Sequence, residues 1–108
     1  MTPITAVVIT LNEEKNIGRC LDSLVGVAAE VMVIDAGSHD RTCEIAEGKG
    51  ARVIAHTWEG YGGQKNFGNS QATHSHILSL DADEALSDEL RAAIVERRDA
   101  GLDGVYEF

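Results

Sequence analysis

Short β-branched runs alternate with segments of helical period along this chain. Ile4-Thr5-Ala6-Val7-Val8-Ile9-Thr10 carries no charged face, so it reads as a strand buried on both sides. Asn12 is placed to cap a helix with Glu13 and Glu14 in its first turn, where the helix dipole favours carboxylates. Ile17, Leu21 and Leu24 then share one face, and Gly26 supplies a stop. The pattern predicts a second strand over 31–35 and a short helix from about Arg41 to Glu47, ending at Gly48 or Gly50. A third strand is predicted over 52–56. The segment Glu59-Gly60-Tyr61-Gly62-Gly63 reads as a flexible loop feeding a helix through Lys65, Phe67 and Ala72. His76-Ile77-Leu78-Ser79-Leu80 is a fourth strand that ends at Asp81. Ser87, with Asp88 and Glu89, starts a helix towards Arg98, and Val105-Tyr106-Glu107-Phe108 begins a fifth strand.

This alternation predicts the α/β class: a parallel sheet with helices on both faces. At 108 residues the chain has the size of one compact domain, spanning 1–108. Sheets of this kind take ligands beyond the carboxyl ends of their strands, near a point where the strand order reverses. The residues that follow each strand are therefore the ones to weigh.

Net charge narrows the ligand classes. Asp and Glu number 18 against 9 for Lys and Arg, a formal charge of -9. Such a surface repels phosphate backbones, so nucleic acid is not an expected partner. Any phosphate-bearing ligand would need local positive charge from a metal ion, a lysine or the amides at a helix start. Cys20 and Cys43 have no CxxC spacing, and both fall in segments read as helices, where a buried thiol behaves as a small apolar residue. The sequence runs from Met1-Thr2-Pro3 straight into the first strand, and its longest apolar stretch is too short to cross a bilayer. A cytoplasmic location is expected, peripheral to the inner face of the membrane at most.

Each strand end has a bland explanation and a functional one. Thr10-Leu11-Asn12-Glu13-Glu14 offers amides and polar side chains to a flat base, or is simply a helix cap. No GxGxxG follows this strand, which disfavours a dinucleotide-binding dehydrogenase. Asp35 can accept from a ribose hydroxyl or a base N–H, or can bond its own turn. The glycines at 60–63 would let a backbone approach a ligand closely, with Lys65 meeting a phosphate; a plain surface loop is the other reading. Asp81-Ala82-Asp83-Glu84 places three carboxylates within four residues, directly after an apolar strand. They repel one another unless a cation intervenes, and hard oxygen ligands suit Mg²⁺ or Mn²⁺. An acidic turn ahead of the next helix is the alternative. His74 and His76 alternate as strand neighbours do, with no third ligand close in sequence, and Trp58 is either packing or the lip of a cleft.

Together these residues resemble the family-2 glycosyltransferases. Ile9-Thr10-Leu11-Asn12-Glu13-Glu14, Asp35-Ala36-Gly37-Ser38-His39-Asp40-Arg41-Thr42, Gln64-Lys65-Asn66-Phe67-Gly68 and Leu80-Asp81-Ala82-Asp83-Glu84 stand in that family's order and spacing. Trp58-Glu59-Gly60-Tyr61-Gly62-Gly63-Gln64-Lys65-Asn66 is further similar to its lipopolysaccharide-core glucosyltransferase branch. The resemblance implies a GT-A fold whose first half binds a nucleoside-diphosphate sugar, usually a UDP-sugar. It places Thr10, Leu11, Asn12 and Glu13 around the nucleoside, Asp35 at the base and Lys65 near the diphosphate. Asp81 would lie near ribose and metal, and Asp83 would bind the metal, Mg²⁺ or Mn²⁺. Lys65 stands where many members carry arginine, which keeps the charge without the bidentate fork. His39 replaces a common threonine. Members of the family are normally at least twice this length. Their second half supplies the site for a saccharide or lipid-linked acceptor and the carboxylate that deprotonates it. These 108 residues are accordingly expected to bind donor with little transfer on their own.

Three readings compete with this one. A non-catalytic assembly module on the same fold would self-associate through an exposed sheet edge. A sugar-phosphate nucleotidyltransferase lacks its Gly-rich phosphate loop here. A DxD phosphohydrolase carries its nucleophile after the first strand, whereas Asp81 follows the fourth.

Overall fold

The computed structural model describes residues 3–74, 76–100 and 105–107, with the backbone alone at 100 and 105–107. The elements are β1 (Ile4–Thr10), α1 (Ile17–Asp22), β2 (Glu30–Asp35), α2 (Thr42–Gly48), β3 (Arg52–Ala55), α3 (Gly60–Gln71), β4 (His76–Asp81), α4 (Asp88–Ala100) and β5 (Val105–Glu107). Five strands pair in the order β3-β2-β1-β4-β5, and every pairing is parallel. The chain winds outward from β1 through β2 to β3, then crosses back to place β4 on the other side of β1. The order therefore reverses between β1 and β4, and the ends of those two strands form the switch point. Register sets Thr10 beside Asp35 and Ile9 beside Asp81.

Alternation along β1 divides the core. Ala6 and Val8 face Ile17, Cys20 and Leu21 of α1, Ala46 of α2 and the half-buried Leu90 and Ile94 of α4. Val7, with Met32, Ile34 and Ile77, meets Phe67 of α3 and Ala72. Helices thus cover both faces, and every residue of β1 is buried, as its unbroken apolar run requires. Each fully buried Val, Leu or Ile contributes about 1.5–3 kcal/mol, so the apolar rows rather than helix propensity hold the layers together.

Two local expectations are overturned. Asn12 does not cap a helix. Its φ is 52°, and α1 begins only at Ile17, after a turn in which the N–H groups of Asn16 and Ile17 donate to the Glu13 carbonyl. The chain bends at Asn12 because its side-chain oxygen accepts from the His39 N–H at 2.8 Å, and asparagine tolerates the left-handed region. Glu13 and Glu14 consequently lie before the helix. The glycines at 60–63 are not a loop either: Gly60, at φ 82°, opens α3, and Gly62 and Gly63 lie within it. A Cβ on Gly63 would come within 2.7 Å of the Glu59 Cβ, so close approach, and not looseness, is what that position requires. The remaining starts follow the sequence. Ser87 Oγ accepts from the Leu90 N–H at 3.1 Å at the head of α4, and both cysteines sit in helices. The expected strand position Phe108 lies outside the described residues. No helix among the described residues is long and apolar enough to cross a membrane.

Candidate functional site

Beyond the ends of β1 and β4 lies a cleft of about 470 Å³. Ile9, Thr10, Leu11 and Glu13 form one side, Asp81, Ala82 and Asp83 another, and Trp58 and Tyr61 a third. The sequence-derived residues Thr10, Leu11, Glu13, Asp81 and Asp83 are thus brought together. Asn12, Asp35 and Lys65 are not on its lining, and each has a different relation to it.

The acidic turn is built by β4 running past β1. Ala82 continues the ladder by donating its N–H to the Ile9 carbonyl, and its side chain is buried in the α1 core. Glu84 closes the turn: its carboxylate accepts from the Asp81 N–H at 2.8 Å while its own N–H donates to the Asp81 carbonyl at 2.9 Å. Arg19 and Cys20 of α1 tie the turn down, donating to the carbonyls of Asp83 and Asp81. The three carboxylates therefore differ. Glu84 is committed to the backbone and Asp83 stands exposed. Asp81 is half-buried, with Oδ1 shielded from solvent and accepting no hydrogen bond. Burial and then the Glu84 charge push the Asp81 carboxyl above the ordinary carboxylate value, Lys65 pulls it back, and Asp83 adds to the rise. Thr10 Oγ1, at the end of β1, is also buried and unpartnered. Both residues line the cleft, and each carries one oxygen without a hydrogen-bond partner.

A divalent cation suits this donor set within a limit. No group of three or more His, Cys, Asp or Glu side chains able to hold a metal occurs among the described residues, the half-buried His74 and His76 included. Asp81 and Asp83 alone would leave most of an octahedral shell to waters and phosphate oxygens, which is how Mg²⁺ is usually held.

Asp35 organises its own turn. It is 4% exposed. Its Oδ2 accepts from the N–H groups of Gly37 at 3.0 Å and Ser38 at 2.8 Å, and its Oδ1 from the Ser38 hydroxyl. The turn it organises is zipped to the loop after β1. Ser38 Oγ accepts from the Asn12 N–H at 2.8 Å, Asn12 Oδ1 receives the His39 N–H, and buried Thr42 accepts from the Glu13 N–H at 2.9 Å. Asp40 accepts from the N–H groups of Glu14 and Thr42 and from the Thr42 hydroxyl, which together hold its carboxyl below the ordinary value. Asn12 and Asp35 thus shape the loop whose other residues, Leu11 and Glu13, face the cleft. The motif around Ser38, Asp40 and Thr42 is visible in sequence, but its bracing role depends on β1 and β2 being adjacent. Tyr61 is the lining residue that sequence reasoning missed, because a tyrosine among glycines gave no helical period to place it.

The family model described as Glycosyl transferase family 2 matches residues 5–106. The chain belongs to glycosyl transferase family 2. Within it, an uncharacterized glycosyltransferase of Rickettsia felis is 46% identical over 94 residues, covering 87% of this chain and 33% of its own length. The lipopolysaccharide core biosynthesis glycosyltransferase LpsC of Rhizobium meliloti is 36% identical over 99 residues, covering 87% and 36%. The chain spans about one third of the length of these relatives. Among solved structures, the glucosyl-3-phosphoglycerate synthase of Mycobacterium tuberculosis in complex with UDP superposes with a TM-score of 0.69 at 26% identity. It covers 77% of this chain and 34% of that one. TarS 1–349 of S. aureus gives 0.70 at 26%, covering 88% and 32%. The parallel sheet with helices on both faces is that of these glycosyltransferase neighbours.

Proposed function

We propose that these residues form the donor-binding portion of a glycosyltransferase that takes a nucleoside-diphosphate sugar, of the UDP class, with divalent-cation assistance. The observation that carries the reading is the switch-point cleft, which brings half-buried Asp81 and exposed Asp83 together with Thr10, Leu11 and Glu13. The UDP complex of the M. tuberculosis enzyme supports the nucleotide class, and the same enzyme's complex with Mn²⁺ and UDP supports the cation.

Thr10, Leu11 and Glu13 would border the nucleoside, on a loop that Asn12 and Asp35 hold in shape. Asp83 and Asp81 would hold Mg²⁺ or Mn²⁺, whose charge at the diphosphate stabilises the leaving group as the sugar departs. Lys65 would face the same diphosphate, which reconciles a phosphate ligand with a chain of charge -9. Similarity to LpsC favours a saccharide or lipid-linked acceptor of the lipopolysaccharide-core type. A cytoplasmic setting follows from the donor, since nucleotide sugars are made there.

Titration calorimetry with UDP, with and without Mn²⁺, tests this directly. Wild type is expected to bind UDP with a cation-dependent heat, and Asp83→Ala to bind without that dependence. A folded wild-type chain giving no cation-dependent heat sinks the donor reading, and an Asp83→Ala variant that keeps full cation dependence sinks the site assignment.

A further inference from the structure

Four large apolar side chains stand exposed among the described residues: Leu11, Val25, Trp58 and Tyr61. Three of them line the one cleft at the switch point. Trp58 is 44% exposed and Tyr61 64%, and the two rings meet edge to face with centroids 5.0 Å apart and planes at 86°. Open aromatic surface of this size is costly to leave in water unless it has a ligand to meet.

The backbone beneath the pair is also braced. Tyr61 lies in the first turn of α3, and Trp58 on the short link from β3. That link is stapled from beneath. Fully buried Gln64 donates to the His56 carbonyl at 3.1 Å and meets His56 Nδ1 at 2.7 Å, while the His56 ring stacks on Phe67 with centroids 3.8 Å apart. His56 Nε2 in turn lies 3.5 Å from Glu59, whose Cβ occupies the space that any side chain at Gly63 would need. The backbone that carries the rings is therefore set before a ligand arrives.

We infer that Trp58 and Tyr61 form a platform for a pyranose ring, a subsite for the sugar itself rather than for the nucleotide; the inference rests on the donor-cleft reading above. A pyranose is amphipathic, with axial C–H groups on its faces and hydroxyls round its edge. The electron-rich face of an aromatic ring takes the C–H face and leaves the edge hydroxyls to polar groups or water. The two rings stand at right angles, so they make a corner and not the flat, two-sided slot that sandwiches a nucleobase. The pyranose can be the donor sugar or an acceptor residue, and the chemistry is common to both.

Trp58 is the single tryptophan of the chain, so its emission reports on this wall alone. UDP, UDP-glucose and maltotriose are titrated into the intact chain at constant Mn²⁺, following emission and calorimetric heat. A ligand that carries a pyranose is expected to shift the emission to the blue, and UDP to bind without a shift. Trp58→Ala should weaken the pyranose-bearing ligand about fivefold to tenfold and leave UDP unchanged, with Trp58→Phe restoring most of the loss. A shift with UDP-glucose alone assigns the platform to the donor sugar, and a shift with maltotriose to the acceptor. The same shift with UDP gives the rings to the base and overturns the inference. UDP and UDP-glucose binding alike with silent emission overturns it while the donor reading stands. A folded chain that ignores nucleotides but responds to maltotriose sinks the donor reading and keeps the platform; silence towards all three sinks both.

Discussion

Replacing Gly68 by alanine isolates the contact that seats α3, and with it Lys65, against the sheet. Gly68 is buried, and a Cβ there would lie 2.4 Å from Val7 Cγ1 and 3.1 Å from Ile34 Cγ1. Unstrained carbon atoms sit about 3.5–4.0 Å apart, so the deficit is on the order of 1 Å against side chains that are themselves fully buried. Inserting one methyl group into a packed core costs about 1–3 kcal/mol. Against that stands the gain in helix propensity of alanine over glycine, about 0.8–1 kcal/mol. A 2.4 Å contact with a buried side chain belongs at the upper end of the overpacking range, so the net expectation is a loss of about 1–2 kcal/mol, which for a domain of this size lowers Tm by roughly 5–15 °C. Gly62 supplies the control. It lies in the same helix with nothing within 4 Å of its would-be Cβ and no positive φ, so Gly62→Ala should stabilise by up to about 1 kcal/mol. Urea denaturation followed by far-UV circular dichroism measures both, with unchanged m-values confirming that only stability moved. Opposite signs are the prediction. Equal or greater stability of Gly68→Ala would refute the close approach of α3 to β1 and β2, and with it the placement of Lys65 near Asp81.

Three further outcomes are expected. Glu30 accepts from the Thr5 hydroxyl at 3.1 Å and from the N–H and hydroxyl of Thr73 at 3.1 and 2.7 Å. Burial opposes its ionisation, but those bonds and Arg52 outweigh it and hold the carboxyl below its ordinary 4.5. A lowered carboxylate stabilises the fold above its unfolded value and loses that contribution as pH falls through the folded one. Glu30→Ala should therefore cost about 1–2 kcal/mol at neutral pH, with the gap to wild type closing as pH falls below 4.5, read by thermal melts across pH. Burial, helped by neighbouring carboxylates, pushes the Cys20 thiol up to about 12 and the Cys43 thiol up to about 11. Neither should react with iodoacetamide at pH 8 in the folded chain, while both should in urea; fast labelling of the native chain would contradict the packing of α1 and α2. Thr42→Val removes the acceptor for the Glu13 N–H in a buried position and should cost about 1–2 kcal/mol, with weaker UDP binding as the loop after β1 loosens. Loss of stability with undiminished UDP affinity would separate that loop from the ligand site.

The strands were legible because β1, β2 and β4 are buried and their apolar runs have no competing reading. The misreadings at Asn12 and at 60–63 share a cause: both segments obey contacts distant in sequence. Asn12 looks like a cap by local rules, yet its side chain is claimed by the N–H of His39, 27 residues on, once β2 lies beside β1. The glycines of α3 look like a loop because glycine disfavours helices by about 1 kcal/mol each. Tertiary packing reverses the reading, since Gly63 and Gly68 admit Glu59 and Val7 where any side chain would collide. Asp35 shows the opposite limit. A strand-end aspartate gives no sign in sequence of the turn it organises, and the bonds to Gly37 and Ser38 appear only in the fold.

The acidic turn shows how a fold differentiates residues that the sequence leaves equivalent. Written out, Asp81, Asp83 and Glu84 are three carboxylates on one short turn. Folded, Glu84 is bound to the backbone that carries Asp81, so its charge is held at a fixed distance and cannot retreat into solvent. Ala82, anchored in the core, keeps Asp81 half-buried and leaves Asp83 outside. Burial and the captive Glu84 charge raise the Asp81 carboxyl, and Lys65 relieves it only in part. The ionised turn is thus under electrostatic load, which an electropositive ligand would discharge and a neutral one would not. A lone acidic turn on a surface shares its charge with water and gains little from a cation. This one is denied water at one oxygen of Asp81, so its charge is screened less than that of a surface turn.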